Sequence, residues 1–194
     1  MLPPVTAPRA ARYIERMRLV SLLAAASLGL AACASSSFTT EVRGESTVPA
    51  GPRGVETPLN GFPAISSFAG MDFDKNQDFK NQGLRKSEVT SVKVESLTLK
   101  VLSPDDQDLT FLDSVEFFAR AGDREARIAS RQNVATVDLR LPNPVLSLNV
   151  ENVELQPFVA APTMSIIVRG RGRLPEREVR LQAVVKLQVE TGLL

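Results

Sequence analysis

The stretch VRLQAVVKLQV at residues 179–189 decides the fold, because apolar and polar side chains alternate along it. Every odd-numbered residue of the stretch is apolar, and every even-numbered residue is polar except Val184. Successive side chains of a strand point to opposite faces of a sheet, so a period of two predicts a half-buried antiparallel strand. An amphipathic helix would need a period near 3.6.

The alternation extends upstream from this stretch. Met164, Ile166 and Val168 are in step with one another, and Leu174-Pro175-Glu176 can close a hairpin to residue 179. Further upstream, Val92 and Val94 share one face whereas Leu97 has the other parity. Since a slip of one residue moves every side chain to the opposite face, we expect a β-bulge near Glu95-Ser96.

Other segments with strand character follow one another along the chain. Residues 115–121, 125–130, 134–141 and 146–150 are candidates, and residues 64–73 are a candidate first strand. Turn-forming residues separate them at 103–106, 122–123 and 142–144. We predict an all-β protein, an antiparallel immunoglobulin-like β-sandwich of about seven or eight strands, with a small barrel as the alternative. In strand order and polar alternation, residues 85–190 resemble the desiccation-associated LEA type 2 (WHy-like) sandwiches, and no function is transferred from that resemblance.

The N-terminal segment has the organisation of a secretory signal peptide. Arg9, Arg12, Arg16 and Arg18 precede an uncharged run over residues 19–32, whose 14 residues are fewer than the 20 or so that a transmembrane helix needs. The run ends in Leu30-Ala31-Ala32-Cys33, and Cys33 is the only cysteine of the chain. Met17, just before the run, is an alternative start.

This segment resembles the lipobox signal peptides of bacterial lipoproteins. The resemblance implies cleavage between Ala32 and Cys33, and attachment of a diacylglyceryl group to the Cys33 thiol. Two or three acyl chains on one residue suffice for stable membrane binding. Ala34 follows in place of the Asp that retains enterobacterial lipoproteins in the inner membrane, which favours the outer membrane. We therefore divide the chain into a signal peptide (1–32), a flexible tether (33–60) and a β-sandwich domain (61–194).

Composition excludes several classes of function. Residues 1–32 hold four Arg and one Glu, so the processed chain keeps 19 of 23 basic and 21 of 22 acidic residues, a slight negative charge that does not favour nucleic acid. The chain has no His and no Trp, and its one tyrosine is Tyr13. These absences exclude a Ser-His-Asp triad and the common zinc sites, and they leave no Trp or Tyr platform for a sugar. We expect no cofactor and no catalytic residue.

Two acidic groups are candidate metal ligands. Asp72, Asp74, Asn76 and Asp78 place oxygen side chains at alternate positions, as a calcium loop requires, although Gln77 and Gly83 stand where an EF-hand needs Gly and Glu. The alternative is a polar turn, with Phe73 and Phe79 in the core. The second group lies in the next long turn and could share an ion with the first or lie at the opposite pole. Its members are Asp105, Asp106, Asp108 and Asp113.

The segment Arg169-Gly170-Arg171-Gly172-Arg173 continues the strand that begins at Met164. Alternation predicts three arginines on one face. They could form a cationic stripe that binds phosphates. The alternative is a solvated outer face, on which the arginines pair with Glu176 and Glu178. The two glycines need a bulge or a close approach between sheets. Phe117 and Phe118 are expected to point to opposite faces.

The leading hypothesis is a non-enzymatic lipoprotein of the cell envelope, held to the membrane through Cys33, with a binding or structural β-sandwich whose partner is an envelope protein or a glycan. A calcium-dependent recognition or adhesion domain is the first alternative. A hydrolase that uses paired carboxylates is the second.

Overall fold

A computed structural model describes residues 36–192, which contain nine strands in this part of the chain. The strands are β1 (Ser36–Val48), β2 (Pro58–Leu59), β3 (Val89–Ser103), β4 (Leu112–Ala121), β5 (Arg124–Gln132), β6 (Val145–Ser147), β7 (Asn149–Val150), β8 (Ser165–Arg173) and β9 (Val179–Thr191). Two one-turn α-helices, Gln77–Asn81 and Gln156–Val159, lie in the connections. Short 3₁₀ turns occupy Ser66–Phe68, Phe73–Lys75, Lys86–Glu88 and Val134–Thr136.

The strands form two antiparallel sheets that enclose one hydrophobic core. The first sheet has the order β1-β9-β3-β6 and the second has the order β2-β8-β4-β5-β7. The six odd-numbered residues of the 179–189 stretch are buried, and its even-numbered residues, Val184 among them, are exposed or half-buried on the outer face. The predicted all-β class and the antiparallel β-sandwich are confirmed.

The bulge predicted in β3 is present. The register between β3 and β9 shifts between Val94 and Ser96, after which Leu97 and Leu99 face the core together with Val92 and Val94. Without that extra residue, one half of β3 would point its apolar side chains to solvent. The hairpin predicted at 174–176 is wrong, because residues 174–178 connect β8 in the second sheet to β9 in the first, and the two strands do not pair with each other.

The prediction that residues 33–60 form a flexible tether is wrong for residues 36–48. These residues form β1, which pairs with β9 at every position from Ser36↔Thr191 to Val48↔Val179. The sequence signal was weak because three inward positions of β1 are small or polar, namely Thr40, Gly44 and Ser46. Each of these three residues contacts the connection over residues 62–79, so β1 packs against a loop as well as against the opposite sheet.

Two further strand predictions are wrong. In the 134–141 segment, Asn133 adopts a left-handed conformation at φ 55° and turns the chain into a 3₁₀ turn, of which only Val134 is fully buried. Residues 64–73 hold two 3₁₀ turns that place Phe68 and Phe73 in the core, and Met71 contributes a single bridge to Met164. The described part has nine strands instead of seven or eight, because β1 and β2 have little alternation to show and the strand predicted at 146–150 is divided into β6 and β7.

The sandwich has two ends, which are named here by the first and last residues of β1. At the Ser36 end, β1 and β3 both begin beside Thr191 of β9, and the Gln77–Asn81 helix lies nearby. At the Val48 end lie the loops that follow β1, β3 and β5, and the connection between β8 and β9. These loops are tied together by backbone hydrogen bonds from Gly51 N to Pro175 O and from Asn143 N to Asp105 O.

Candidate functional site

The predicted anchor residues, Ala32 and Cys33, lie outside the described residues. The described chain begins three residues after Cys33, at the first residue of β1. No helix among the described residues is long and apolar enough to cross a membrane.

The acidic loop at 72–78 uses its oxygens to cap its own helical turns. Asp72 accepts a hydrogen bond from Asp74 N at 3.2 Å, and Asn76 Oδ1 accepts from Asp78 N at 2.8 Å. Asp78 accepts from Thr40 Oγ1 at 2.7 Å, which fixes the loop to β1. These are ordinary helix-capping and turn interactions of Asp and Asn.

Lys86 neutralises the same loop. Its Nζ lies 3.1 Å from Asp72 Oδ1 and 3.6 Å from Asp74 Oδ2, and it also donates to the carbonyl oxygen of Pro162 at 3.2 Å. The hydrogen bond from Lys86 lowers the pKa of Asp72, so this carboxylate stays ionised with a cation already beside it. No group of three or more Asp, Glu, His or Cys among the described residues could hold a metal ion. Capping accounts for Asp72 and Asn76, the Lys86 contacts account for Asp74, and the bond from Thr40 accounts for Asp78.

The second acidic group lies at the Val48 end, so the two groups cannot share an ion. Asp106 pairs with Arg177 at 3.0 Å. Asp108 Oδ1 accepts from Thr110 N at 3.1 Å and from Thr110 Oγ1 at 2.6 Å, an Asx turn of the usual kind. Phe73 and Phe79 are buried in the core, as the polar-turn alternative requires.

The arginine segment has the predicted alternation. Arg169, Arg171 and Arg173 are exposed, Gly170 is buried and Gly172 is half-buried. The predicted partners, Glu176 and Glu178, are not the ones found in the described residues. Other carboxylates take that role: Arg169 pairs with Glu125 at 2.7 Å, and Arg173 pairs with Glu56 at 2.9 Å.

The two glycines of this segment have the structural reasons that the sequence demanded. A Cβ at Gly170 would lie 3.0 Å from the Phe62 ring, and a Cβ at Gly172 would lie 2.1 Å from the carbonyl oxygen of Phe111. Gly172 stands where the register between β4 and β8 shifts between Leu112 and Ser114. The bulge therefore occurs, whereas the close approach is to a loop side chain at Gly170 and to the neighbouring strand at Gly172, and not between the two sheets.

The outer face of the second sheet carries a network of ion pairs around one aromatic ring. Phe117 is buried, whereas Phe118 faces outward and lies under the Arg169 guanidinium, 4.1 Å from the ring centroid. Arg120 and Arg169 both donate to Glu125, and the Arg120 hydrogen bond is the main cause of the lowered pKa of that carboxyl. A cation over a ring shields the ring from solvent, so Phe118 does not form an apolar contact patch.

Glu154 has a structural role that the sequence did not indicate. Its Oε1 accepts from Val92 N at 2.7 Å and from Gln156 N at 2.8 Å, and its Oε2 accepts from Ser91 Oγ at 2.7 Å. Burial acts to raise the pKa of Glu154, but these hydrogen bonds outweigh burial and lower it. Glu154 thus satisfies backbone donors of β3 at the Ser36 end.

A shallow cleft of about 300 Å³ lies between β1 and the connection over residues 67–76. Its charged lining residues are Glu41, Arg43, Asp72 and Lys75. Glu41 forms an ion pair with Arg43, and Asp72 forms ion pairs with Lys75 and Lys86. The cleft therefore presents mixed charge, in which both lining carboxylates are paired with cations.

Comparison with known proteins leaves the chain without a family. No protein-family model matches it, and no curated protein matches it. Solved structures similar to it include the decameric BFDV capsid protein, with a TM-score of 0.36 and 6% identity over 80% of this chain and 99% of that one. The 60-mer of the BFDV capsid protein gives a TM-score of 0.34 and 8% identity over 82% of this chain and 96% of that one. The structure of Cocksfoot mottle virus gives a TM-score of 0.27 and 9% identity over 100% of this chain and 96% of that one.

Proposed function

We propose that the protein is a lipoprotein of the cell envelope, anchored in a membrane, with the outer membrane favoured, through acyl chains on Cys33. The observation that carries the proposal is Leu30-Ala31-Ala32-Cys33 at the end of an uncharged run with four arginines upstream. Two chains on one residue contribute about 0.8 kcal/mol per buried methylene, which makes the anchoring stable without any contact between protein and lipid.

We propose further that the sandwich is a binding or structural module and not an enzyme. Three carboxylates of the described residues have a shifted pKa, and each pKa is lowered: those of Asp72 and Glu125 by Lys or Arg partners, and that of Glu154 by backbone donors. A pair of carboxylates that performs glycoside chemistry has to flank a cleft at a defined separation. The two carboxylates that line the cleft beside β1, Glu41 and Asp72, are each paired with a cation.

Metabolic labelling with radioactive palmitate tests the anchor. We expect label in the wild-type chain and none in Cys33→Ala, with Ser35→Ala as the matched control that leaves the lipobox intact. Mass spectrometry of the processed protein should give an N-terminal Cys33 that carries the lipid. Equal labelling of wild type and Cys33→Ala would refute the proposal, as would a mature N-terminus elsewhere.

A further inference from the structure

The start of β1 is covalently close to the proposed lipid. Ser36 is the third residue after Cys33, and a fully extended chain spans at most about 3.6 Å per residue, or about 11 Å over these three steps. The headgroup layer of one leaflet is itself about 5–8 Å thick. Whatever path residues 33–36 take, Ser36 cannot lie far above the headgroups when Cys33 is lipidated.

The position of Ser36 in the sheet extends this constraint to one whole end of the sandwich. Ser36 pairs with Thr191, and Thr191 pairs with Val89, so the first residue of β1, the last of β9 and the first of β3 form one row. Ser36 Oγ and Thr191 Oγ1 are also 2.5 Å apart, which fixes the edge of that row. The short connection between Cys33 and Ser36 therefore keeps this row near the bilayer.

We propose that the sandwich stands on its Ser36 end against the lipid headgroups and presents its Val48 end away from the membrane. This inference rests on the proposed function, because it needs the lipid on Cys33. β1 continues for 12 further residues to Val48, and a strand rises about 3.3 Å per residue. The Val48 end is therefore about 40 Å farther from the headgroups than the Ser36 end.

The outer faces of the sheets give the domain no reason to lie flat on the bilayer. The exposed large hydrophobics of the described residues are Val55, Leu141 and Val145, which lie in or beside the loops of the Val48 end. The outer face of β9 instead carries polar side chains such as Arg180 and Lys186. On the second sheet, Arg127 is paired with both Glu116 and Glu151. A membrane-binding face would show apolar residues or an uncompensated cationic surface.

The orientation assigns different roles to the two ends. The Ser36 end faces the membrane, and the Val48 end faces away from it. At the Val48 end, the bonds from Gly51 N to Pro175 O and from Asn143 N to Asp105 O join the loops in two pairs, the Arg177–Asp106 ion pair links the pairs, and the exposed hydrophobics lie in or beside these loops.

Quenching by nitroxide-labelled headgroups tests the orientation in the lipidated full chain, reconstituted in phosphatidylcholine vesicles. A fluorophore is attached to Ser87→Cys, which lies two residues before β3 at the Ser36 end, or to Glu178→Cys, which lies one residue before β9 at the Val48 end. Both native residues are exposed. Because the chain has one cysteine and lipid occupies its thiol, each variant carries a single reactive thiol.

We expect quenching several-fold stronger at residue 87 than at residue 178. As a control, 20 Gly/Ser residues are inserted between Ala34 and Ser35, which adds a flexible spacer with an end-to-end distance of about 25 Å. The insertion should reduce quenching at residue 87 to the level at residue 178. Equal quenching at the two positions without the insertion, or none at either, would overturn the orientation. Flotation of the vesicles is measured first, since a chain that does not float with lipid contradicts the anchor and not the orientation.

Discussion

Substitution of Gly44 measures whether residues 36–48 are part of the folded domain. Gly44 is buried in the middle of β1, and a Cβ there would lie 2.2 Å from Ile65 Cγ2 and 2.5 Å from Ser67 Oγ. An ordinary contact between carbon atoms is about 3.5–4.0 Å, so Gly44→Ala forces a separation of more than 1 Å between β1 and the connection. Such overpacking costs about 1–3 kcal/mol.

The assay is urea unfolding followed by far-UV circular dichroism, because the chain has no Trp and its one Tyr lies in the proposed signal peptide. With a urea slope of about 2 kcal/mol per molar, a loss of about 1–3 kcal/mol lowers the midpoint by about 0.5–1.5 M. Gly61→Ala is the matched control, since nothing lies within 4 Å of a Cβ at Gly61 and no positive φ restricts it. We expect Gly61→Ala to leave the midpoint unchanged or to raise it slightly.

A second substitution identifies the clash. Ile65→Ala removes the side chain nearest to the added Cβ and destabilises the protein by itself, because Ile65 is buried. In the Ile65→Ala background, Gly44→Ala should lower the free energy of unfolding by less than it does in the wild type. The coupling free energy of the double-mutant cycle then has the opposite sign to the two single-variant losses. If Gly44→Ala unfolds at the wild-type urea concentration, β1 is not packed as described and the tether interpretation stands.

Three other substitutions probe the remaining structural features. Asp72→Asn removes the charge beside Lys86. Since the folded state lowers the pKa of Asp72, the difference in unfolding free energy from wild type should be full near pH 6 and should shrink as the pH falls below about 4. A difference that is independent of pH would contradict the ion pair. Glu154→Ala removes the acceptor of Val92 N and Gln156 N and should cost about 1–3 kcal/mol in urea unfolding, whereas no change would show that water replaces the carboxylate. Gly172→Ala meets backbone at 2.1 Å and should lower the melting temperature far more than Gly170→Ala, which meets an aromatic side chain at 3.0 Å; the reverse order would contradict the bulge.

The parts of the fold that could be predicted from sequence are those whose side chains alternate. In β9, six apolar residues face one core, and in β3 the change of parity between Val94 and Leu97 located the bulge. Gly170 and Gly172 indicated a close approach because glycine has no other use in a strand. In each case the residue type itself reports the packing.

The rest depends on partners that are distant in sequence. Thr40 is buried because Asp78 accepts its hydroxyl, and Gly44 is buried because Ile65 lies over it, and neither partner can be inferred from residues 36–48. The same limit applies to Glu154, whose carboxylate accepts a hydrogen bond from Val92 N, 62 residues away in the sequence. For the candidate site, the sequence left a calcium loop and a polar turn both open at Asp72 and Asp78, and it could not show that Lys86 lies beside Asp72.

The pairing of β1 along the whole of β9 determines how the protein bears mechanical load. A pull between a lipid on Cys33 and a partner held at the Val48 end runs parallel to β1, so it shears the 13 residue pairs from Ser36↔Thr191 to Val48↔Val179 and loads them together. A pull on β9 from the same end as Ser36 would instead peel those pairs apart one after another. Resistance to forced unfolding is set by the unfolding rate under load and not by equilibrium stability. The strand next to the proposed lipid therefore resists most strongly in the direction along which a tethered envelope protein is pulled.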